Sequence, residues 1–249
     1  MIEFRNLHKS FGDLKVLDGV DLVVQEGETL ALLGPSGTGK SVLIKHAIGL
    51  LEPDQGDVLV DGISIATASP KQLRKVRREL GYVFQNAALF DSLTVAENLR
   101  LAQEDETRLR DPGDCRREAA ELLRRVNLDE SVLDKYPAEL SGGMRKRVGV
   151  ARAIASRPKY LLWDEPTTGL DPVNADNIDD LIMELNNTLN VTSIVVTHDL
   201  DTAFEVGDRI ALLYEGKIRA NAPPDEILKN TDPIVARFVR RSRLEAEVA

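Results

Sequence analysis

The sequence has almost no cysteine, no excess of positive charge and no long apolar run, and each absence narrows what the chain can be. Its one cysteine, Cys115, stands in Asp114-Cys115-Arg116-Arg117-Glu118, so no intramolecular disulfide can form and a cysteine-based metal cluster is not expected. That usage fits a reducing cytoplasm. Lys and Arg number 32 against 41 Asp and Glu, a formal net charge of -9, which leaves the chain without the basic footprint of a protein that grips nucleic acid. The longest apolar runs fall well short of the roughly 18 residues that a spanning helix needs. The chain opens on Ile2-Glu3-Phe4 with no basic-then-apolar leader, so membrane association is expected to go through a partner or the surface. Internal repeats and low-complexity segments are also missing.

What is present is organised around Gly34-Pro35-Ser36-Gly37-Thr38-Gly39-Lys40-Ser41, which fits the phosphate-loop pattern G-x-x-x-x-G-K-[ST] at every fixed position. The apolar run Thr29–Leu33 before it reads as a buried strand, and Val42–Ile48 after it as a helix, which is the context the motif needs. Its glycines let the backbone approach phosphate oxygens with inward N–H groups, and the helix start adds partial positive charge. Lys40 is expected to reach the β- and γ-phosphates of a nucleoside triphosphate, and the Ser41 hydroxyl to ligate Mg²⁺. The bland alternative is a glycine-rich turn between strand and helix. At 249 residues, 43% of them hydrophobic, the chain has enough for one large α/β domain or one domain with a sizeable insertion.

Residues 2–33 alternate short apolar stretches with turn signals, predicting several strands that lead into the loop. Phe11, on what should be a loop, either stacks on a base or plugs the core. Asp57–Gly62 reads as a strand closed by a hairpin signal, and Ser69-Pro70 opens a basic helix over Lys71–Arg78 that ends at Gly81, better read as a solvated face than as a site. Tyr82-Val83-Phe84 predicts a buried strand ending at the polar Gln85. From about Ser92 to Glu139 the pattern turns helical and charge-dense, with a mixed-sign stretch Gln103–Glu118 and a break at Asp111-Pro112-Gly113-Asp114. This is expected to be an inserted helical subdomain.

Ser141-Gly142-Gly143 then opens a helix with the apolar stripe Met144, Val148, Ala151, Ile154; it is either a second anion site or an ordinary serine cap. Tyr160–Glu165 is an apolar strand ending in two carboxylates. Asp164 is expected to hold a metal ion and Glu165 to polarise a water, since two acids at a buried edge would be costly without a cation. Asp171-Pro172 starts an amphipathic helix, and a β-branched strand Val191–Val196 delivers Thr197-His198-Asp199 to the same crevice. A last hairpin turns at Glu215-Gly216, Pro223-Pro224 opens a short helix, and Asp232-Pro233 caps another, followed by a charged tail from Arg240 to Ala249.

In this order the motifs resemble the nucleotide-binding subunit of an ATP-binding cassette (ABC) transporter over nearly the whole chain. The resemblance implies an α/β fold: a P-loop NTPase core with a β-rich N-terminal part, formed by residues 1–85 and 141–249, carrying a helical subdomain at 86–140. It makes Gln85 the Q-loop glutamine at the Mg²⁺ site, Leu140-Ser141-Gly142-Gly143-Met144 the signature, Asp171 the D-loop residue and His198 the switch histidine. Phe11 falls where the family places its adenine-stacking aromatic, usually a tyrosine. Two positions depart from the pattern: Val42 stands where a threonine is usual, and Met144 where the signature has glutamine. The implied mechanism pairs two copies head to tail around ATP and Mg²⁺, with Lys40, Glu165, His198 and Gln85 in catalysis, and couples closure to a membrane permease.

Phe84–Val95, Leu140–Arg147 and Asn230–Phe238 are most similar to Mla-type subunits, which imply phospholipid cargo, a permease and a lipid-binding substrate protein, and a peripheral place on the cytoplasmic face of the inner membrane. A polar-solute importer of amino-acid type is the alternative. A soluble ABC ATPase would usually carry long coiled coils or two fused cassettes, and a small-molecule kinase would lack both the Ser-Gly-Gly signature and the glutamate of the family's Walker B strand, here Leu161-Leu162-Trp163-Asp164-Glu165.

Overall fold

The structure, a computed structural model, describes residues 1–102 and 112–246, without the side chains of Pro112 and of residues 240–246. Residues 103–111 of the expected mixed-sign stretch, the Asp111 end of the expected break and the end of the charged tail lie outside the described residues. Strands run in the order β1 (Ile2–Phe11), β2 (Leu14–Val24), β3 (Thr29–Leu33), β4 (Gln55–Val60), β5 (Ile63–Ser64), β6 (Leu80–Val83), β7 (Tyr160–Asp164), β8 (Thr192–Thr197), β9 (Arg209–Tyr214) and β10 (Lys217–Ala222). The α-helices are α1 (Lys40–Ala47), α2 (Pro70–Arg78), α3 (Val95–Ala102), α4 (Pro112–Arg125), α5 (Gly142–Ile154), α6 (Pro172–Leu189), α7 (Leu200–Val206), α8 (Pro224–Leu228) and α9 (Pro233–Ala246). They fall into two compact units, Met1–Arg77 with Thr192–Ala249, and Arg78–Val191.

In the first unit, period-two alternation on β1, β2 and β4 buries Ile2, Phe4, Val20, Leu22, Val24, Val58 and Val60 on one face of an antiparallel sheet ordered β2-β1-β4-β5. The expected hairpins form: Asp61-Gly62 and Glu215-Gly216 both turn through two consecutive positive-φ residues, the twist that two-residue hairpins favour. β3 does not alternate, because it lies between β8 and β9, parallel to both, and all five of its residues are buried. Over it, Leu200 and Ala203 of α7, Ile227 of α8 and Val235 and Val239 of α9 close a core with Ala31, Leu33, Ile210 and Leu212. The basic helix α2 is the solvated face expected of it: Val76 is its one buried residue, and Lys71, Arg74, Lys75, Arg77 and Arg78 are exposed.

In the second unit β6 and β7 pair in parallel, Leu80 opposite Tyr160 through Val83 opposite Trp163. The strand predicted at Tyr82-Val83-Phe84 is thus shifted, and Gly81 sits inside it rather than ending α2. A side chain at Gly81 would meet the Ala153 carbonyl at 2.6 Å and Leu161 at 2.7 Å, so its role is close packing. Helices α3, α4 and α5 pack on one another, burying Leu99, Ala119, Leu123 and Val148. α3 begins with a reciprocal cap in which the Thr94 amide donates to Glu97 at 2.8 Å and the Glu97 amide donates to the Thr94 hydroxyl at 3.3 Å. The helix α6 starts at Asp171, whose carboxylate accepts from the Asn174 amide at 3.1 Å, and Pro172 fills the first turn as expected.

His46 lies fully buried in α1, with Nδ1 2.7 Å from the Val42 carbonyl; a carbonyl only accepts, so Nδ1 carries the proton. Burial pushes its pKa below the ordinary 6.5, against the partly offsetting Val42 contact. The unfolded chain therefore takes up a proton near pH 6.5 that the folded chain refuses, and stability is fully present above that pH and falls as pH drops through it. Urea unfolding measured between pH 8 and about pH 5 is expected to show this decline, and His46→Gln to flatten it. An equal slope in both proteins would contradict the assignment.

Candidate functional site

The phosphate loop leaves β3 at Leu33, and the local packing dictates its residue types. A side chain at Gly34 would lie 2.4 Å from the Leu213 carbonyl, and Gly39 holds φ 97° directly before α1, where a Cβ would meet Val16 at 2.6 Å. Gly39, at the start of α1, has no side chain to cap it, and a helix start supplies backbone N–H groups and partial positive charge. Lys40 is buried, and its Nζ donates to the Gly34 carbonyl at 2.7 Å and the Pro35 carbonyl at 3.0 Å. Thr38 closes the loop by donating to the Pro35 carbonyl at 2.8 Å. Ser36 and Gly37 are exposed at its crest, while Ser41 and Val42 are half-buried on the first turn of the helix.

The register of β3 with β8 brings His198 to the same edge. Leu33 stands opposite Thr197, so the next residues along the two parallel strands are Gly34 and His198, and His198 is exposed there. Phe11 comes from the end of β1. It is 48% exposed, which excludes the core-plug alternative, and the Lys9 ammonium lies 5.6 Å from its ring centroid. Buried lysine, exposed histidine, a helix start and a serine hydroxyl make this edge suited to a polyanion with its counter-cation.

The second unit carries the acids and the second glycine-bearing helix start. Asp164 is buried at the end of β7, and the Tyr82 hydroxyl donates to its Oδ2 at 2.8 Å. Burial, then the charge of Asp164, pushes the Tyr82 pKa far up, so the phenol stays a neutral donor. Glu165 is half-buried with φ 48°, an uncommon conformation for a non-glycine residue, and accepts from Thr168 Oγ1 at 2.9 Å. Lys146 of α5 reaches the same loop, donating to the carbonyls of Pro166 and Thr168, both at 2.6 Å. Burial lowers the Lys146 pKa, and the charge of Glu165 works against that shift. A carboxylate pair with one oxygen oriented by a phenol and another by a hydroxyl is a donor set that fits a hard divalent cation and an ordered water.

Ser141 caps α5, accepting from the Met144 amide at 3.2 Å, and is itself exposed with Gly142. A side chain at Gly142 would meet nothing within 4 Å, so the helix start is open to an approaching group. The serine cap and the anion-site alternatives are therefore compatible at this helix. Gln85 and Asp171 are exposed. After Gln85, Ala87 and Ala88 both take positive φ, and the Arg152 guanidinium holds their carbonyls at 2.9 and 2.6 Å. Asn98, fully buried, accepts from the Phe90 amide and donates to the carbonyls of Phe90, Leu93 and Thr94. The segment is fixed from both sides, and Phe90 stands 57% exposed on it.

Sequence reasoning did not single out Tyr82, Lys146, Thr168, Asn98 or Arg152. Thr168 lies three residues after Glu165 and Asn98 four to eight residues after the backbone groups it binds, so both are local; Tyr82, Lys146 and Arg152 act across elements and have no local signal.

A family model described as ABC transporter matches residues 17–168. The chain is 39% identical to the probable ribonucleotide transport ATP-binding protein mkl of Mycobacterium leprae, over 98% of this chain and 70% of that protein. It is 40% identical to the methionine import ATP-binding protein MetN of Caulobacter vibrioides, over 100% of this chain and 75% of that protein. Among solved structures, the dimeric post-hydrolysis state of the ATP-binding cassette MJ0796 bound to ADP and Pi aligns with a TM-score of 0.82 at 34% identity, over 90% of this chain and 98% of that one.

Lys40→Ala removes the buried ammonium at the loop and is expected to weaken nucleoside triphosphate binding by about a hundredfold at physiological salt. Titration calorimetry checks this, and retained affinity would count against the loop as the triphosphate site.

Proposed function

The chain belongs to the ABC transporter family as an ATP-binding, ATP-hydrolysing subunit, and from that premise we propose that two copies close around ATP and Mg²⁺ to drive a multi-span permease that moves phospholipid. The observation that carries the catalytic part is the parallel register that sets His198 beside the buried Lys40 loop. Lys40 and the loop amides bind the β- and γ-phosphates, and Phe11 stacks on the adenine. The residues that would hold the metal are Ser41, Asp164 and Gln85. Mg²⁺, when bound, neutralises charge on the phosphate oxygens.

Glu165, oriented by Thr168, takes a proton from the attacking water as the new oxygen–phosphorus bond forms at the γ-phosphorus and the bond to the ADP oxygen breaks. His198 holds the γ-phosphate through this step. Ser141, Gly142 and Gly143 of one copy, with Asp171, complete the γ-phosphate site of the other, so hydrolysis removes the contact that holds the pair closed. Residues 86–140 form the subdomain on which a permease docks, peripheral to the cytoplasmic face of the inner membrane. Among the described residues no helix is long and apolar enough to cross a membrane, and nucleic acid has no part in this reading.

The phospholipid cargo rests on the likeness of Phe84–Val95, Leu140–Arg147 and Asn230–Phe238 to Mla-type subunits, above all Ala87-Ala88-Leu89-Phe90 in the segment proposed to meet the permease; the exposure of Phe90 supports the docking alone. A lipid-binding substrate protein completes that assembly. The second reading, a polar-solute importer, is favoured by the name of the methionine-import relative.

Glu165→Gln is expected to keep ATP binding, slow hydrolysis by about a hundredfold or more, and accumulate ATP-dependent dimers on size exclusion. Native turnover would remove Glu165 as the base. Phe90→Asp is expected to leave the ATPase rate of the isolated subunit unchanged and to abolish recovery with membranes. Unchanged membrane recovery would refute the docking role of this segment. In liposomes with the co-purifying permease, lipid transfer or phospholipid-stimulated ATPase supports the cargo proposed; stimulation by a soluble amino-acid-binding protein alone overturns it.

A further inference from the structure

We propose that Lys9 is a positioning residue for nucleotide recognition, fixing the ring of Phe11 beside the phosphate loop and backing it with a positive charge, so that stacking on a purine depends on the pair. The proposal rests on the reading of Phe11 as the base contact. The end of β1 is clamped by the turn that precedes β4. Lys9 Nζ donates to the Glu52 carbonyl at 2.8 Å and to Asp54 Oδ1 at 2.9 Å, with only 15% of its side chain exposed. The other Asp54 oxygen accepts from the Ser10 amide at 2.6 Å, and the Asp54 amide donates to the His8 carbonyl at 2.9 Å. Lys9 therefore has no rotamer freedom to spend, and its ammonium lies 5.6 Å from the Phe11 centroid.

The register places this clamp at the loop. Lys9 pairs with Leu17 and Phe11 with Leu14, while a Cβ on Gly39 would touch Val16 at 2.6 Å and Leu17 at 3.3 Å. The strand pair that carries the ring is thus the one the phosphate loop packs against. A phenyl ring has no hydroxyl to anchor it, and Phe11 is nearly half exposed, so without a fixed neighbour the ring would have to be ordered at the moment of binding. An ammonium held against the ring removes that cost and draws π-density away from the stacking partner, which suits an electron-rich purine.

Titration calorimetry with two probes, ATP and inorganic tripolyphosphate, tests the pair in Phe11→Ala, Lys9→Met, Lys9→Arg and the Phe11→Ala/Lys9→Met double variant. Phe11→Ala is expected to weaken ATP by about tenfold and to leave tripolyphosphate unchanged. Lys9→Met is expected to weaken ATP by about three- to fivefold, again without effect on tripolyphosphate, and to add nothing in the Phe11→Ala background. Lys9→Arg, which keeps a cation and donors, is expected to restore ATP affinity, and in steady state Lys9→Met raises KM with kcat unchanged. If Phe11→Ala binds ATP normally, the base-stacking reading itself falls. If Phe11→Ala behaves as expected but Lys9→Met is silent, weakens both probes alike, or adds fully to Phe11→Ala, only the role of Lys9 is overturned.

Discussion

A positive charge kept in the interior is the constraint on which the rest of the chain depends. An ammonium taken out of water is tolerated only where fixed acceptors replace its hydration, and Lys40 finds two of them in the loop's own carbonyls, Gly34 and Pro35. Those carbonyls can be aimed inward only because the loop has no side chain at Gly34 or Gly39, where the Leu213 carbonyl and Val16 leave no space for one. The loop in turn is rigid because β3 is flanked on both sides by parallel strands. The charge is thus stored at the cost of burying a whole strand, and it is presented where a triphosphate can exchange places with the carbonyls.

The same economy operates among the acids. Asp164 is buried, yet the phenol of Tyr82 supplies it with a donor that burial prevents from ionising. Glu165 adopts a left-handed backbone conformation and is met by Thr168, while Lys146 binds the carbonyls of the turn that follows. Strain at such a residue persists only where its surroundings over-determine it. Ala87 and Ala88 repeat the pattern, with Arg152 as the clamp.

What the sequence made legible follows a physical division. The phosphate loop, the caps at Ser69, Ser141 and Asp171, the hairpins at Asp61-Gly62 and Glu215-Gly216 and the apolar faces of α5 and α6 are local: their signal lies within one turn or one period of the chain. Gly81 ends no helix, and a glycine after a basic run looks the same in sequence whether it stops a helix or admits a neighbouring carbonyl. Phe11 could not be assigned from spacing because burial is a property of what packs on it, and little does. Arg152 satisfies backbone groups that only tertiary structure brings to it, while Asn98 satisfies the carbonyls of the irregular segment just before its own helix, a pattern with no periodic signal.

The division of the chain into Met1–Arg77 with Thr192–Ala249, interrupted by Arg78–Val191, has a consequence for the order in which the protein is made. β3 leaves the ribosome early, but both of its parallel partners, β8 and β9, lie beyond residue 191. Until they emerge, Thr29–Leu33 is an apolar segment with two unpaired edges, the kind of element that associates with other chains when it waits. The strands of the antiparallel sheet, β1, β2, β4 and β5, all lie before residue 65, so their pairing can form first, although β2 later gains contacts from Arg209 and Gly216. Nascent chains stalled between these lengths therefore combine four strands that can pair with a phosphate loop whose flanking strands have yet to emerge, which makes that interval of synthesis one exposed to aggregation.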